Sequence, residues 1–83
     1  MNSTYFDELV EILLSIDMKS EMENFLYGLL TQKELAEIPT RVQIVKMLKK
    51  GVAQREIADE LGIGVATVTR GSTEIKKGRF RSI

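Results

Sequence analysis

The chain has 83 residues with 12 acidic and 12 basic side chains, and it contains neither cysteine nor histidine. A chain of this length forms at most one small domain with a modest core. The absent residue types exclude a disulfide framework, a Cys/His zinc site and an imidazole general base. With no signal-peptide pattern and no apolar run of membrane-spanning length, we expect a cytoplasmic protein with no membrane partner, no metal, no cofactor and no enzymatic activity.

The first two predicted helices occupy the N-terminal third of the chain. Apolar residues recur at helical spacing and no strand pattern occurs, so the predicted fold class is an all-α helical bundle. Thr4 is the predicted N-cap of a first helix that runs to about Asp17. Ser20, followed three residues later by Glu23, forms a predicted capping box that opens the second helix.

A third helix is predicted over residues 32–50. Thr31 and Glu34 form another capping box at its start, and Gly51 follows its last turn. Pro39 lies inside this helix, where it removes one hydrogen bond and crowds the preceding turn. We therefore expect a kink, or two separate helices, at Pro39.

The two halves of the chain carry opposite charge. Residues 1–40 contain eight acidic and two basic side chains, whereas residues 41–83 contain four acidic and ten basic ones. The apolar faces of the first three helices are also wide for so short a chain. These features favour a homodimer in which the acidic half forms much of the interface; the alternative is a monomeric bundle.

The most informative segment is a predicted helix-turn-helix near the C-terminus. Two short helices, Gln54–Leu61 and Val65–Lys76, are joined by a turn at Gly62. Short polar side chains and one arginine face outward from the second helix, as a major-groove reader requires. The apolar side chains that we expect to be buried are Ile57, Ala58, Leu61, Val65 and Val68. The basic half contains this motif, which favours DNA as the partner.

Four stretches between about Leu30 and Lys76 resemble the Trp repressor family: LLTQKE, TRVQIVKMLKKG, QREIADELGIG and ATVTRGS. The resemblance implies an intertwined homodimer that represses transcription at a double-stranded DNA operator, with L-tryptophan as its corepressor. It divides the single domain of residues 1–83 into dimerisation helices (1–50) and a DNA-reading head (51–77).

The resemblance also implies the ligand-binding residues. Arg41 and Arg70 would stack on the two faces of the indole ring, and Arg70, helped by Thr31, would hold the carboxylate. Thr67 would line the pocket, and Gly71 would let the ring approach the backbone. The complete predicted set is Thr31, Arg41, Val45, Thr67, Arg70, Gly71 and Glu74.

The residues implied for DNA binding lie on both helices of the motif. Gln54 and Arg55 would reach phosphate or a nearby base, whereas Val65, Ala66 and Thr69 would face base edges. Lys76 would contact phosphate, as would three further basic residues: Lys77, Arg79 and Arg81. We expect residues 78–83 to be frayed.

Glu74 departs from the family pattern, which has a serine that helps bind the ligand's amino group. Its carboxylate would either pair with the ligand's ammonium group or pair with Arg70 and close the pocket. Two other functions stay open beside the ligand-gated repressor. One is a DNA-binding protein of this fold with no ligand or a different one, and the other is a helical protein-interaction module that does not meet DNA.

Overall fold

The computed structural model describes residues 3–83 and consists of five α-helices. They are α1 (Ser3–Ser15), α2 (Lys19–Leu29), α3 (Gln32–Lys49), α4 (Gln54–Leu61) and α5 (Val65–Lys76). No strand occurs within the described residues, so the all-α prediction is confirmed. None of these helices is long and apolar enough to cross a membrane.

The chain divides into two compact units, Met1–Leu35 and Ala36–Ile83. This boundary falls inside α3, so the C-terminal part of that helix belongs to the same unit as the helix-turn-helix. The sequence analysis placed its boundary between residues 50 and 51 because it separated a dimerisation role from a DNA-binding role. The assignment of dimerisation to residues 1–50 stays a prediction.

The first unit holds α1 and α2, and neither helix contains a buried residue. Large apolar side chains are instead open to solvent in the single chain, with Leu14 80% exposed and Tyr5 71% exposed. Isolated exposed apolar residues are ordinary, but two helices with no buried side chain are not stabilised by a core of their own.

Two of the predicted helix starts are wrong. Helix α1 begins at Ser3, so Thr4 is a helical residue and not the N-cap. Helix α2 begins at Lys19, before Ser20, because Met18 is the extended N-cap residue and its carbonyl accepts the N–H of Met22 at 3.0 Å. The carbonyl of Met18 therefore accepts the first hydrogen bond of the helix, and Ser20 lies inside the first turn.

The capping box at the start of α3 is confirmed. The N–H of Glu34 donates to the Thr31 hydroxyl at 3.1 Å, and the N–H of Thr31 donates to the Glu34 carboxylate at 2.9 Å. Two of the backbone donors that a helix start leaves without a partner are thereby satisfied by side chains.

Helix α3 continues through Pro39, so the two-helix alternative is wrong. The proline removes only the one N–H that would bond the carbonyl of Leu35. At the next residue, the Thr40 hydroxyl adds a bond to the carbonyl of Ala36 at 2.9 Å. The kink at this position stays a prediction.

The core of the protein lies in the second unit. Helices α3, α4 and α5 each contribute side chains to one buried cluster: Ile44, Ile57, Ala58 and Val68. Partly buried residues surround it: Met47, Leu48, Val52, Leu61 and Ile63. Of the side chains expected inside, Val65 is the exception because it is 50% exposed at the first position of α5.

The turn of the helix-turn-helix depends on Gly62. This residue has φ 67 and ψ 38, in the left-handed region that glycine adopts without a steric penalty. The N–H of Ile63 then reaches back to the carbonyl of Ala58 at 3.0 Å and closes the end of α4. Gly51 ends α3 as predicted, also with a positive φ.

The C-terminal segment 78–83 is folded back and not frayed, which corrects the prediction. The N–H of Gly78 donates to Ile75 at 2.9 Å, and that of Arg79 donates to Glu74 at 3.1 Å. The Lys49 ammonium donates to the backbone carbonyls of Phe80 and Ile83, at 2.9 Å to the second. A helix-ending turn and a lysine from α3 therefore hold this segment in place.

Candidate ligand pocket and nucleic-acid interface

A cavity of about 680 Å³ lies in the second unit against α3 and α5. This volume is within the range of small-molecule binding sites. The cavity is lined by two residues of α3, five of α5 and two of the C-terminal segment: Arg41, Ile44, Ala66, Thr67, Arg70, Gly71, Glu74, Arg79 and Phe80. Five of the seven predicted ligand residues therefore come together: Arg41, Thr67, Arg70, Gly71 and Glu74.

Gly71 sets how closely α5 approaches α3. A Cβ atom at this position would lie 3.1 Å from Cγ2 of Ile44 and 3.6 Å from Cδ1 of Leu48. The first distance is shorter than ordinary van der Waals contact, so the Ile44 side chain would have to shift by a few tenths of an ångström to make room for a side chain here. The sequence prediction gave Gly71 only a role toward the ligand; the structure adds a packing role.

The two predicted arginines differ in their ion pairing. Arg41 lies 3.9 Å from the Glu37 carboxylate one turn earlier, with both side chains about half exposed. Arg70 has no ion pair with any residue in the part of the chain that the structure describes. A carboxylate entering the cavity would therefore find Arg70 without a competing anion.

Glu74 does not form the Arg70 pair that the sequence left open. Its carboxylate instead lies 3.6 Å from the Lys77 ammonium and 3.5 Å from Nε of Arg79. The turn after α5 brings Arg79 back over the last turn of the helix. The sequence analysis considered only pairs four residues apart within a helix and therefore did not predict this contact. Sequence reasoning missed four cavity residues: Ile44, Ala66, Arg79 and Phe80. Gly78, with its positive φ, is the signal that could have found the last two.

Two predicted ligand residues lie elsewhere. Val45 is 1% exposed and does not line the cavity, so its side chain stabilises the interior. Thr31 belongs to the first unit, where its hydroxyl accepts the N–H of Glu34 and caps α3.

The predicted base-reading residues Gln54 and Thr69 contact each other. The Thr69 hydroxyl lies 2.7 Å from the Gln54 side-chain oxygen and 3.0 Å from the carbonyl of Val65. A hydroxyl has one proton, so it donates to one of these oxygens at a time. The contact links the first residue of α4 to α5, the predicted reading helix that would enter the major groove, and fixes two predicted DNA contacts relative to each other.

The other predicted DNA contacts are accessible. Arg55 and Lys76 are exposed, as is Val65 at the start of α5. Ala66 is also exposed and lines the cavity, so this predicted DNA contact lies both in the first turn of α5 and at the cavity.

The charge separation coincides with the division into units. The second unit, Ala36–Ile83, contains ten basic and five acidic side chains, whereas Met1–Leu35 contains two basic and seven acidic ones. The unit with the helix-turn-helix is thus the one that phosphate groups would attract. Within residues 3–83, no group of Asp, Glu, Cys or His side chains is placed to hold a metal ion.

Comparison with known proteins gives one consistent family. The family model described as Trp repressor protein matches residues 4–81. A Trp operon repressor homolog of Vibrio campbellii is 39% identical over 72 residues, which cover 86% of this chain and 72% of the relative. Homologs of the same name from Photobacterium profundum (38% over 74 residues; 88% and 72%) and Xylella fastidiosa (29% over 77 residues; 92% and 84%) also match. No solved structure matches significantly.

A double-mutant cycle tests the contact between Gln54 and Thr69. We expect Gln54→Ala and Thr69→Val to show a coupling of about 0.5–1 kcal/mol in urea unfolding, because each removes the same hydrogen bond. The control cycle pairs Gln54→Ala with Thr67→Val, which lies on the cavity side of α5, and should be additive. Additivity in both cycles would show that the contact does not stabilise the motif.

Proposed function

The chain belongs to the Trp repressor family, a family of DNA-binding regulators and not of enzymes, and we propose that it is a sequence-specific repressor switched by a small-molecule corepressor. Family membership confirms the predicted absence of enzymatic activity. The observation that carries the proposal is the cavity on the reading helix α5, where Arg70 has no ion pair within the described residues.

The ligand that suits this cavity is a planar aromatic amino acid, and we propose L-tryptophan. Arg41 and Arg70 both line the cavity, and guanidinium groups stack on aromatic rings and bind carboxylates. Glu74 lies one helical turn after Arg70, about 6 Å along the axis. An α-carboxylate at Arg70 would therefore have its neighbouring ammonium group on the side of Glu74.

Ligand binding would act on DNA binding through α5. The helix that lines the cavity with Thr67, Arg70 and Gly71 also carries Thr69, a predicted base contact, on another face. A ligand that binds more tightly when α5 has one placement against α3 shifts the protein toward that placement. The size of the shift is set by the difference in ligand affinity between the two placements. This coupling is what would make the ligand a corepressor.

DNA recognition would combine phosphate and base contacts. Arg55 and Lys76 supply charge for the phosphates, which raises affinity without reading sequence. Gln54, Val65 and Thr69 lie at or near the helix starts that enter the major groove in helix-turn-helix proteins. A regulator of this kind works beside the chromosome, so we propose the cytoplasm as its location.

We further propose a homodimer formed through α1 and α2. These helices have no buried residue in the single chain, and five of their large apolar side chains are at least half exposed: Tyr5, Phe6, Leu14, Tyr27 and Leu29. Two copies that cover these side chains would carry two reading heads. Such a dimer would match half-sites about one helical turn, ~34 Å, apart.

A ligand-independent DNA-binding regulator is the second candidate. The engagement of Glu74 by Lys77 and Arg79 favours it, because the carboxylate that an amino acid would use already has partners. The two candidates differ in whether L-tryptophan changes DNA affinity.

Fluorescence polarisation with duplexes selected from a random-sequence pool tests the switch. We expect L-tryptophan to raise wild-type affinity for the selected duplex by about tenfold or more, within the usual range of allosteric coupling. Arg70→Ala should lose this effect because the ligand carboxylate loses its partner. Arg55→Ala should weaken binding with and without ligand and keep the effect.

If wild-type affinity does not depend on L-tryptophan, the corepressor proposal is wrong and the ligand-independent regulator is favoured. If no duplex is enriched in the selection, both DNA-binding candidates fail.

Sedimentation equilibrium tests the dimer. We expect twice the 9.4 kDa chain mass for the wild type. Leu14→Glu should shift the protein toward monomer and lower its thermal midpoint, because it places a charge in the apolar interface. Asn24→Glu, which adds the same charge to α2 at an exposed polar position, is the control. A wild-type monomer, or a Leu14→Glu variant that stays dimeric, would contradict the proposal.

A further inference from the structure

Arg79 is held at the edge of the cavity by its backbone and its side chain together. Gly78 has φ 90, which lets the chain turn back after α5. The N–H of Arg79 then donates to the carbonyl of Glu74 at 3.1 Å, and its Nε lies 3.5 Å from the carboxylate of the same residue. The Lys49 ammonium donates a hydrogen bond to the backbone carbonyl of the next residue, Phe80. The guanidinium is therefore directed to Glu74 by the fold of the segment.

Glu74 is the single acidic residue among those that line the cavity. Among the lining residues, Glu74 therefore carries the one carboxylate that could bind the ammonium group of an amino acid whose own carboxylate is at Arg70. Of the two cations on Glu74, Arg79 lines the cavity and Lys77 does not. The ligand's ammonium group and the Arg79 guanidinium would thus require the same carboxylate.

We propose that Arg79 is a specificity-determining residue that competes with the ammonium group of the ligand for Glu74. The proposal rests on the proposed function, since it needs an aromatic carboxylate bound at Arg70. An aromatic acid without an amino group leaves the Glu74–Arg79 pair intact. An amino acid with the same ring must displace it, so Arg79 reduces the preference of the cavity for amino acids.

The expected effect is modest because the pair is open to solvent. The Arg79 side chain is 63% exposed and that of Glu74 is 30% exposed. Ion pairs at this exposure change an equilibrium by up to about fivefold. Removing the competitor should therefore change relative affinities by roughly two- to fivefold.

The absence of tryptophan from the chain makes a direct measurement possible. The fluorescence anisotropy of an indole ligand can be followed without a protein indole signal. The two probes are L-tryptophan and indole-3-propionate, which share the ring and the carboxylate but differ in the ammonium group. A substitution that changes the affinity of the cavity for both probes equally leaves the ratio of the two affinities unchanged.

Arg79→Gln is the test variant and Arg81→Gln is its matched control. Both remove one arginine charge from the C-terminal segment, but Arg81 has no ion pair with Glu74. We expect Arg79→Gln to shift the ratio about two- to fivefold toward L-tryptophan, and Arg81→Gln to leave it unchanged. In a Glu74→Gln background, Arg79→Gln should have no effect on the ratio.

If both ligands bind and Arg79→Gln leaves the ratio unchanged, Arg79 is not a competitor and the inference is overturned while the corepressor proposal stands. A shift that persists in the Glu74→Gln background also overturns the inference, since the effect then does not pass through Glu74. If neither ligand binds any variant, the corepressor proposal itself fails and the inference with it.

Discussion

The packing of α4 and α5 on the C-terminal part of α3 is the constraint on which the second unit depends. Ile44, Ile57 and Val68 are almost completely buried and come from three different helices. Gly71 permits the close approach of α5 to α3 because any side chain there would meet Ile44. This one contact region determines the direction of the reading helix and the wall of the cavity, so both proposed activities rest on the same few apolar residues.

The polar groups around this core are mostly exposed, so each of their interactions is weak. Arg41 and Glu74 already have partners within the protein, whereas Arg70 has none among residues 3–83. A ligand can therefore exchange these pairs at little cost in stability. An arrangement of weak pairs over a well-packed core suits a switch, because the fold does not depend on the groups that the ligand displaces.

Sequence reasoning predicted the bounds of α4 and α5 correctly. The end of α4 could be predicted because Gly62 adopts the left-handed conformation that commonly ends a helix. It failed at Ser20, where the pattern of a capping box was present but Met18 made the first bond of the helix. It also missed Arg79 in the cavity, because that position depends on how the chain turns after α5. Contacts set by helical periodicity could be predicted, and contacts set by the path of a loop could not.

The most direct test of the central claim is the amide NMR spectrum of the labelled protein as L-tryptophan is added. If the cavity binds the ligand, the amide signals of Thr67, Gly71 and Arg79 should shift together and saturate with one dissociation constant. Asp59 and Glu60, exposed on α4 and outside the cavity lining, should shift little. The account would be contradicted by shifts confined to residues outside the cavity. It would also be contradicted if no signal shifted when L-tryptophan was added up to its solubility limit.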